Sequence, residues 1–356
     1  MGKKIIFIIL AIILAGIIFV ALISKENEQT TESLYLWETQ SNQKIVFTSN
    51  ADSDLGEIYL MDKSGGIIRL TNNDVREDHP ALSRDGTKLA FTRGKASGFG
   101  NTTWTEMTTW EIFVMDLATK EETQITYNDV VDAHADWSPD GEKLVFASFS
   151  NSNGDPAEEA NIFIINADGT GLKQLTDSEH EDNDPEWSPD GTKIAFKSTR
   201  NTKESAREEI YIMNNDGSDI KRLTKTSGWQ SDHDPSWSPD SKSIAFNRFE
   251  GSRPWTDMFK VDILQNNFQE LIPWNAHTVD LDGNIIKLTN SKHLLGLPVY
   301  SADGSKVLCL SMEFILSEGM LIGSYNRLIL SNADGSNKQQ LIPDDEHTPT
   351  LEYFDW

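Results

Sequence analysis

Acidic residues and histidines recur at two fixed distances ahead of a repeated, mostly aromatic position in this sequence. Five residues ahead of that position stand Glu77, Asp132, Asp182 and Asp232. Three residues ahead of it stand His79, His134, Asp184 and Asp234. Carboxylates alone suit Ca²⁺, and imidazoles combined with carboxylates suit Zn²⁺ or Mn²⁺. Both sets form a candidate binding site for a divalent cation or a cationic peptide end, and the second set supplies the candidate metal ligands.

The same residues also have a structural interpretation. Side chains at equivalent positions of neighbouring repeats can cap strands and hydrogen-bond the next repeat. Spacing along the chain does not fix the geometry of metal ligands. The sequence alone therefore leaves both interpretations open.

Tryptophans in polar segments form a second candidate surface. The segment Gly94–Glu111 contains Trp104 and Trp110, and two other polar segments contain Trp229 and Trp255. Exposed Trp clusters are typical of surfaces that bind partner proteins or sugars. The alternative is that these indoles pack on adjacent loops.

An internal repeat of about 50 residues, a period typical of propeller blades, sets these positions. Clear copies are ADWSPDGEKLVFAS, PEWSPDGTKIAFKS and PSWSPDSKSIAFNR, which begin at Ala135, Pro185 and Pro235. Degenerate copies begin at Pro80 and Pro298. Taking the Trp of each copy as the reference gives the anchor positions Leu82, Trp137, Trp187, Trp237, Tyr300 and Trp356.

Each repeat contains four strand-like runs, which predicts a blade of four antiparallel strands. The first run ends at the anchor, a Pro-Asp-Gly turn follows, and the fourth run ends in Leu-Thr or Ile-Thr. The run at Lys44–Ser49 has the pattern of a second strand with no first strand ahead of it. Residues Leu351–Trp356 have the pattern of a first strand. We expect them to complete the first blade and close the ring, which removes two exposed strand edges.

The fifth repeat is ambiguous because 63 residues separate its anchor from the next one. Asp257–Asp262 and Phe268–Ile272 are suitable as its third and fourth strands. Thr278–Thr289 (TVDLDGNIIKLT) also ends like a fourth strand. One of these segments is an added hairpin, and the pattern does not decide which.

The pattern PxWSPDGxxIAFxSxR, followed by EIYxMxxDG and LT, resembles the WD40-like β-propeller repeat of TolB over about residues 44–356. Propellers of prolyl-oligopeptidase-type peptidases and of oligogalacturonate lyases carry similar repeats. The resemblance implies an all-β, six-bladed β-propeller. The chain has no counterpart of the small α/β domain of TolB, and it has no G-x-S-x-G hydrolase motif.

The N-terminus has the pattern of a membrane anchor. Lys3 and Lys4 precede an unbroken apolar run from Ile5 to Ile23. As a helix this run would rise about 28 Å, enough to cross the hydrocarbon core of a bilayer. The predicted organisation is an anchor at 1–23, a linker at 24–43 and a propeller at 44–356. The positive-inside rule places the propeller outside the cytoplasm, as a cleaved signal peptide would also do.

Composition narrows the class of partner. The formal net charge is −25, which disfavours nucleic acid and anionic lipid because like charges repel. The single cysteine, Cys309, permits no intramolecular disulfide and is predicted to be a buried thiol.

The expected function is a non-catalytic binding or scaffold module for a protein, peptide or glycan partner at the cell envelope. Its binding face should be the one with the long loops between strands two and three and between blades. The alternative, implied by the resemblance to oligogalacturonate lyases, is a metal-dependent polysaccharide lyase or hydrolase. The sequence shows no basic residue among the candidate ligands to remove a proton, which counts against that alternative.

Overall fold

The computed structural model shows an all-β architecture in the residues that it describes. It describes residues 44–49, 56–62, 66–96, 107–150, 153, 156–201, 207–250, 274–287, 294–301, 303–317, 320–334, 336–337, 339–340 and 351–355. No helix within these ranges is long and apolar enough to cross a membrane. The predicted anchor and linker, together with Trp104, Trp255 and Trp356, lie outside the described residues.

The strands of the described part form six four-stranded antiparallel sheets. Sheet 1 contains β1 (Ile45–Ser49), β2 (Glu57–Met61) and β3 (Ile67–Arg69), joined by the last strand, β24 (Leu351–Asp355). Sheet 2 contains β4 (Glu77–Leu82), β5 (Lys88–Ala96), β6 (Met107–Asp116) and β7 (Glu122–Gln124). Sheet 3 contains β8 (Asp132–Trp137), β9 (Lys143–Ser150), β10 (Pro156–Asn166) and β11 (Lys173–Gln174).

The remaining three sheets follow the same order. Sheet 4 contains β12 (Asp182–Trp187), β13 (Lys193–Ser198), β14 (Glu209–Asn214) and β15 (Lys221–Arg222). Sheet 5 contains β16 (Ser231–Trp237), β17 (Ser243–Phe249), β18 (Trp274–Asp280) and β19 (Ile285–Lys287). Sheet 6 contains β20 (Leu294–Tyr300), β21 (Lys306–Ser317), β22 (Met320–Asn332) and β23 (Gln339–Gln340).

The C-terminal strand closes sheet 1, as the repeat predicted. The order of this sheet is β24-β1-β2-β3, and β24 runs antiparallel to β1 with Val46 opposite Asp355 and Phe47 opposite Phe354. The first strand of each sheet contacts that of the next, in the closed sequence β4, β8, β12, β16, β20, β24 and back to β4. The six sheets therefore form a ring with these strands innermost.

In sheets 2 to 6 a Ser-x-Asp turn, in which the Ser hydroxyl donates to the Asp carboxylate, holds the first strand to the second strand. In sheet 3 the Ser138 hydroxyl donates to Asp140 Oδ1 at 2.6 Å, and the Gly141 amide donates to the Ser138 carbonyl at 2.8 Å. Gly141 has a φ of +70°, which favours glycine. These turns are short and lie on the face opposite the long loops.

The core lies between neighbouring sheets. Trp137 of sheet 3 is 4% exposed and belongs to one apolar cluster with Ala81 and Ile112 of sheet 2. Its indole Nε1 donates to the Ala81 carbonyl at 3.1 Å, and Trp237 makes the same bond to the Glu186 carbonyl at 3.2 Å. Trp137 and Trp237 therefore each join their own sheet to the one before it.

The repeated Leu-Thr or Ile-Thr ending also has a structural cause. Thr126 accepts a hydrogen bond from the Ile112 amide at 3.0 Å, and its hydroxyl donates to Glu111 Oε2 at 2.7 Å. Glu111 is 1% exposed and lies within β6. Thr71 bridges Ile58 and Glu57 in the same way, so the motif ties the end of strand four to strand three.

Sheet 5 resolves the ambiguity of the fifth repeat. Its third and fourth strands are β18 and β19, so the hairpin TVDLDGNIIKLT belongs to the sheet. The alternative segments at 257–262 and 268–272 lie outside the described residues. Cys309 is a free thiol and 3% exposed, as predicted.

Candidate functional site

A bulge interrupts each of the first strands β4, β8, β12 and β16 at the same place. Within each bulge one residue has left-handed backbone geometry: His79 (φ 50°), His134 (φ 55°), Asp184 (φ 49°) and Asp234 (φ 51°). Such geometry is uncommon outside glycine, and bulges often redirect side chains beside functional sites. The predicted metal-ligand positions are therefore four equivalent bulge residues on four consecutive sheets.

These four side chains line one cavity of about 160 Å³ at the centre of the ring. Its apolar wall consists of prolines two residues ahead of the anchors, namely Pro80, Pro185, Pro235 and Pro298. Asp136 and Glu186 also line the cavity, while each accepts a hydrogen bond from an anchor amide of the next sheet, at 2.7 Å and 3.0 Å. The cavity therefore combines apolar walls with several carboxylates.

A chain of polar contacts crosses the site. His134 Nδ1 lies 2.8 Å from Asp184 Oδ1, and the Lys197 ammonium lies 2.9 Å from Asp184 Oδ2. Lys197 also lies 3.1 Å from Glu208 Oε1, and His233 Nδ1 lies 2.7 Å from Glu208 Oε2. Each imidazole is thus oriented by a carboxylate at Nδ1, and one lysine joins the two carboxylates.

Lys197, Glu208 and His233 were not among the sequence-predicted site residues. No basic residue stood out among the sequence-predicted ligands, and the structure adds Lys197, whose side chain extends from the second strand of sheet 4 to Asp184. A comparison of the repeat copies would have singled out Lys197. The positions equivalent to Lys197 in the neighbouring copies are the uncharged residues Thr92, Ala147 and Asn247.

The two aspartates that line the cavity, Asp184 and Asp234, differ in the direction of their pKa shifts. Burial tends to raise the pKa of Asp184, but His134 and Lys197 outweigh it and hold that pKa well below its usual value. Burial, and then the negative charge of Asp184, raise the pKa of Asp234. Lys197 is also buried, yet Asp184 and Glu208 raise its pKa well above the usual value. Lys197 is therefore a firmly protonated ammonium.

His79 and His134 face each other at the cavity. Their ring centroids are 3.9 Å apart, with an angle of 50° between the planes. Burial and then the neighbouring His134 lower the pKa of His79 well below its usual value. His79 is consequently a neutral imidazole at neutral pH.

The buried neutral state of His79 predicts a pH-dependent stability. Below pH ~6.5 an unfolded histidine takes up a proton that folded His79 resists, so the free energy of unfolding should fall by up to about 1.4 kcal/mol per pH unit. His79→Asn retains a residue type that tolerates the left-handed geometry. We expect urea unfolding at pH 7.5 and pH 5.5 to show a smaller stability loss for this variant than for the wild type. His180→Asn, outside the cavity, is the control, and equal losses in all three proteins would contradict the assignment.

The set five residues ahead of the anchor lies behind the cavity and is fully buried. Asp232 accepts two hydrogen bonds from Arg248, at 2.6 Å and 2.7 Å, and Asp182 likewise binds Arg200. Glu77 binds Arg93, and Asp132 accepts a hydrogen bond from Asn128 at 2.7 Å. These contacts favour the structural interpretation for this set, because they hold first strands to second strands and to the preceding loop.

The predicted aromatic surface is partly different in the structure. Trp110 is 1% exposed and lies in β6, so its indole belongs to the core and not to the binding surface for which it was a candidate. Trp229 is 43% exposed and Tyr127 is 76% exposed, both in the loops that lead from one sheet to the next. These two residues mark the long-loop face within the described part of the chain.

No group of three or more His, Cys, Asp or Glu in the described residues is arranged to hold a metal ion. The contacts of Asp184 agree with this, because its two carboxylate oxygens face His134 and Lys197. A divalent cation at the four predicted ligands would therefore require these contacts to rearrange.

A ring of four-stranded antiparallel sheets with a polar cavity at its centre is the architecture of a β-propeller. The particular fold is TolB-like. TolB from Acinetobacter baumannii is 19% identical with a TM-score of 0.56, the match covering 83% of this chain and 62% of that one. A TolB-type protein from Agrobacterium tumefaciens is 18% identical with a TM-score of 0.55, covering 85% of this chain and 90% of that one.

An oligogalacturonate lyase in complex with manganese also has this fold. It is 15% identical with a TM-score of 0.53, and the match covers 86% of this chain and 77% of that one. The chain spans less than two thirds of the length of the A. baumannii protein. The sequence matches no family profile. At these identities the likenesses show the fold alone.

Proposed function

We propose that the chain is an extracytoplasmic six-bladed β-propeller, tethered by an N-terminal membrane helix, that binds a partner without catalysis. The six sheets would be the blades, and the apolar run from Ile5 to Ile23 supports the tether. The partner would be a protein, peptide or glycan at the cell envelope. The TolB-type neighbours support a binding or scaffold role.

The observation that carries this proposal is the charged cavity at the centre of the ring. Equivalent bulges on four sheets direct His79, His134, Asp184 and Asp234 into it. The exposed Trp229 and Tyr127 lie on loops that connect neighbouring sheets. Loops on a rigid scaffold commonly carry recognition, so a partner would use this face.

The alternative is a metal-dependent polysaccharide lyase or hydrolase. Two imidazoles with centroids 3.9 Å apart and the manganese-bound lyase neighbour favour it. Two observations count against it. Lys197 holds its proton firmly and is unsuited to act as a base, and a carboxylate-rich cavity repels a polyuronate.

Site-specific photo-crosslinking in native membranes tests the binding proposal. A photoreactive residue replaces Tyr127 or Trp229 on the long-loop face, or the exposed Leu172 or Ile220 on the opposite face as matched controls. We expect a discrete crosslinked species from the first pair alone. Equal crosslinking from both faces, or none from the long-loop face, would contradict the proposal.

Incubation with oligogalacturonate and Mn²⁺ tests the alternative. Release of an unsaturated uronate, detected by its ultraviolet absorbance, would establish the lyase activity. Its dependence on His79 and His134 would place the activity at the cavity. The binding proposal expects no product.

A further inference from the structure

Asp234 differs from its equivalent Asp184 in its contacts. Both have left-handed geometry in the same bulge and both line the cavity. Asp184 lies against His134 and Lys197, whereas the Asp234 carboxylate has no hydrogen bond or ion pair to any described residue. The Asp234 carboxylate is partly buried, and Asp184 is its strongest charged neighbour, while His233, Lys197 and His134 offset part of that negative field. A carboxylate in such a place is stabilised by a cation that brings its own hydrogen bonds.

The remaining walls specify what kind of cation fits. Four prolines form apolar walls, and Asp136, Glu186 and Asp234 add acidic groups. A long side chain with an apolar stem and a charged end matches walls of this kind. The cavity volume of about 160 Å³ is several times the volume that one water molecule takes up in the liquid, about 30 Å³. It can therefore hold the end of a lysine or arginine side chain.

A bare divalent ion matches the site less well. Metal ions need several oxygen or nitrogen ligands around one point. The described residues contain no such group, and the carboxylate oxygens of Asp184 are already engaged by His134 and Lys197. An anionic sugar would meet like charges. The observations thus favour a peptide that carries a cation.

We propose that the cavity is a subsite for one ammonium or guanidinium group of a peptide partner, with Asp234 as the carboxylate that receives it and the prolines as the wall for its stem. This assignment rests on the proposed binding function and adds the chemical class of the partner. Lys197 pairs with Asp184 at 2.9 Å and acts on Asp234 only through its charge, so the oxygens of Asp234 remain for the incoming cation. Either a side chain or a peptide N-terminus supplies the same chemistry.

Binding of small probes to the full chain in detergent tests the subsite, with ligand-observed NMR as the readout. The probes are acetyl-Gly-Lys-Gly-amide, acetyl-Gly-Arg-Gly-amide and Gly-Gly-Gly-amide with a free N-terminus. Acetyl-lysine in place of lysine gives a neutral probe of similar shape, and Mn²⁺ or Ca²⁺ alone gives the metal arm. We expect at least one cationic probe to bind and the neutral probe to bind at least about tenfold more weakly.

Asp234→Asn removes the charge and keeps a residue that tolerates left-handed geometry. We expect it to weaken binding of the cationic probe at least about tenfold. Asp219→Asn is the matched control, because Asp219 also has a left-handed φ of 55° but is exposed on the opposite face. It should leave probe binding unchanged.

Each other outcome overturns the subsite. Probe binding that is unaffected by Asp234→Asn, or a neutral probe that binds as well as the cationic one, removes the role of the carboxylate. Binding of Mn²⁺ alone that depends on Asp234 replaces the peptide cation with a metal. If Asp234→Asn does not fold, the comparison of the lysine and acetyl-lysine probes on the wild type decides. If none of the probes binds but the long-loop face still forms a discrete crosslinked species, the subsite is overturned and the proposed binding function stands.

Discussion

Deletion of residues 351–356 is expected to lower the free energy of unfolding by about 5 kcal/mol or more, a large part of the roughly 5–15 kcal/mol of a typical domain. These residues include β24, the innermost strand of sheet 1. Without them β1 loses its partner on one side, and the contacts of β24 with β4 and β20 disappear. The ring then opens at one place. The unpaired edge of β1 should also promote aggregation.

Thermal and urea unfolding of the full chain and of the truncated chain measure this effect. A synthetic peptide of residues 350–356 added in trans should restore part of the lost stability, and a scrambled peptide of the same composition should not. A truncated chain that unfolds like the wild type would contradict the closure of the ring by this strand.

The topology could be predicted because the repeat is strong. Equal distances to the Trp anchors identified the equivalent strands, and the lone second strand at Lys44–Ser49 required a partner from the C-terminus. The structure has that pairing. Equal distances likewise predicted that His79, His134, Asp184 and Asp234 share one level of the ring.

The difference between the two acidic sets was not predictable from spacing. Asp182 and Asp184 are two residues apart, and in a regular strand such residues point to the same face. The bulge between Asn183 and Glu186 breaks that alternation. Asp182 consequently binds Arg200 in the framework, whereas Asp184 lines the cavity.

The positions of two other side chains, Lys197 and Trp110, were not predicted from the sequence. Lys197 belongs to a second strand, whereas the spacing to the anchors concerns first strands. The contact of its long side chain with Asp184 was therefore not predicted. Trp110 stands in a polar stretch that suggested a loop, but β6 begins at Met107. Trp110 lies opposite Gly94 in the sheet.

Asp232→Ala is expected to lower the free energy of unfolding by about 3–5 kcal/mol, because breaking a buried ion pair leaves an uncompensated charge. Asp232 is fully buried, and its two oxygens accept hydrogen bonds from Nε and Nη2 of Arg248. The Arg248 side chain is only 9% exposed, so water cannot replace the lost partner. The shift of the urea unfolding midpoint at constant slope measures the effect.

Lys242→Ala is the control, since Lys242 and Asp240 form an exposed pair on a turn of the same sheet. Its unfolding midpoint should hardly change, because exposed pairs contribute little. A second comparison separates charge from hydrogen bonding. Asp132 of sheet 3 is equally buried but accepts from Asn128, and burial raises its pKa. Asp132→Asn should therefore lower the free energy of unfolding much less than Asp232→Asn. Equal losses would mean that the pairing of Asp232 with Arg248 contributes no more to stability than the hydrogen bond between Asp132 and Asn128.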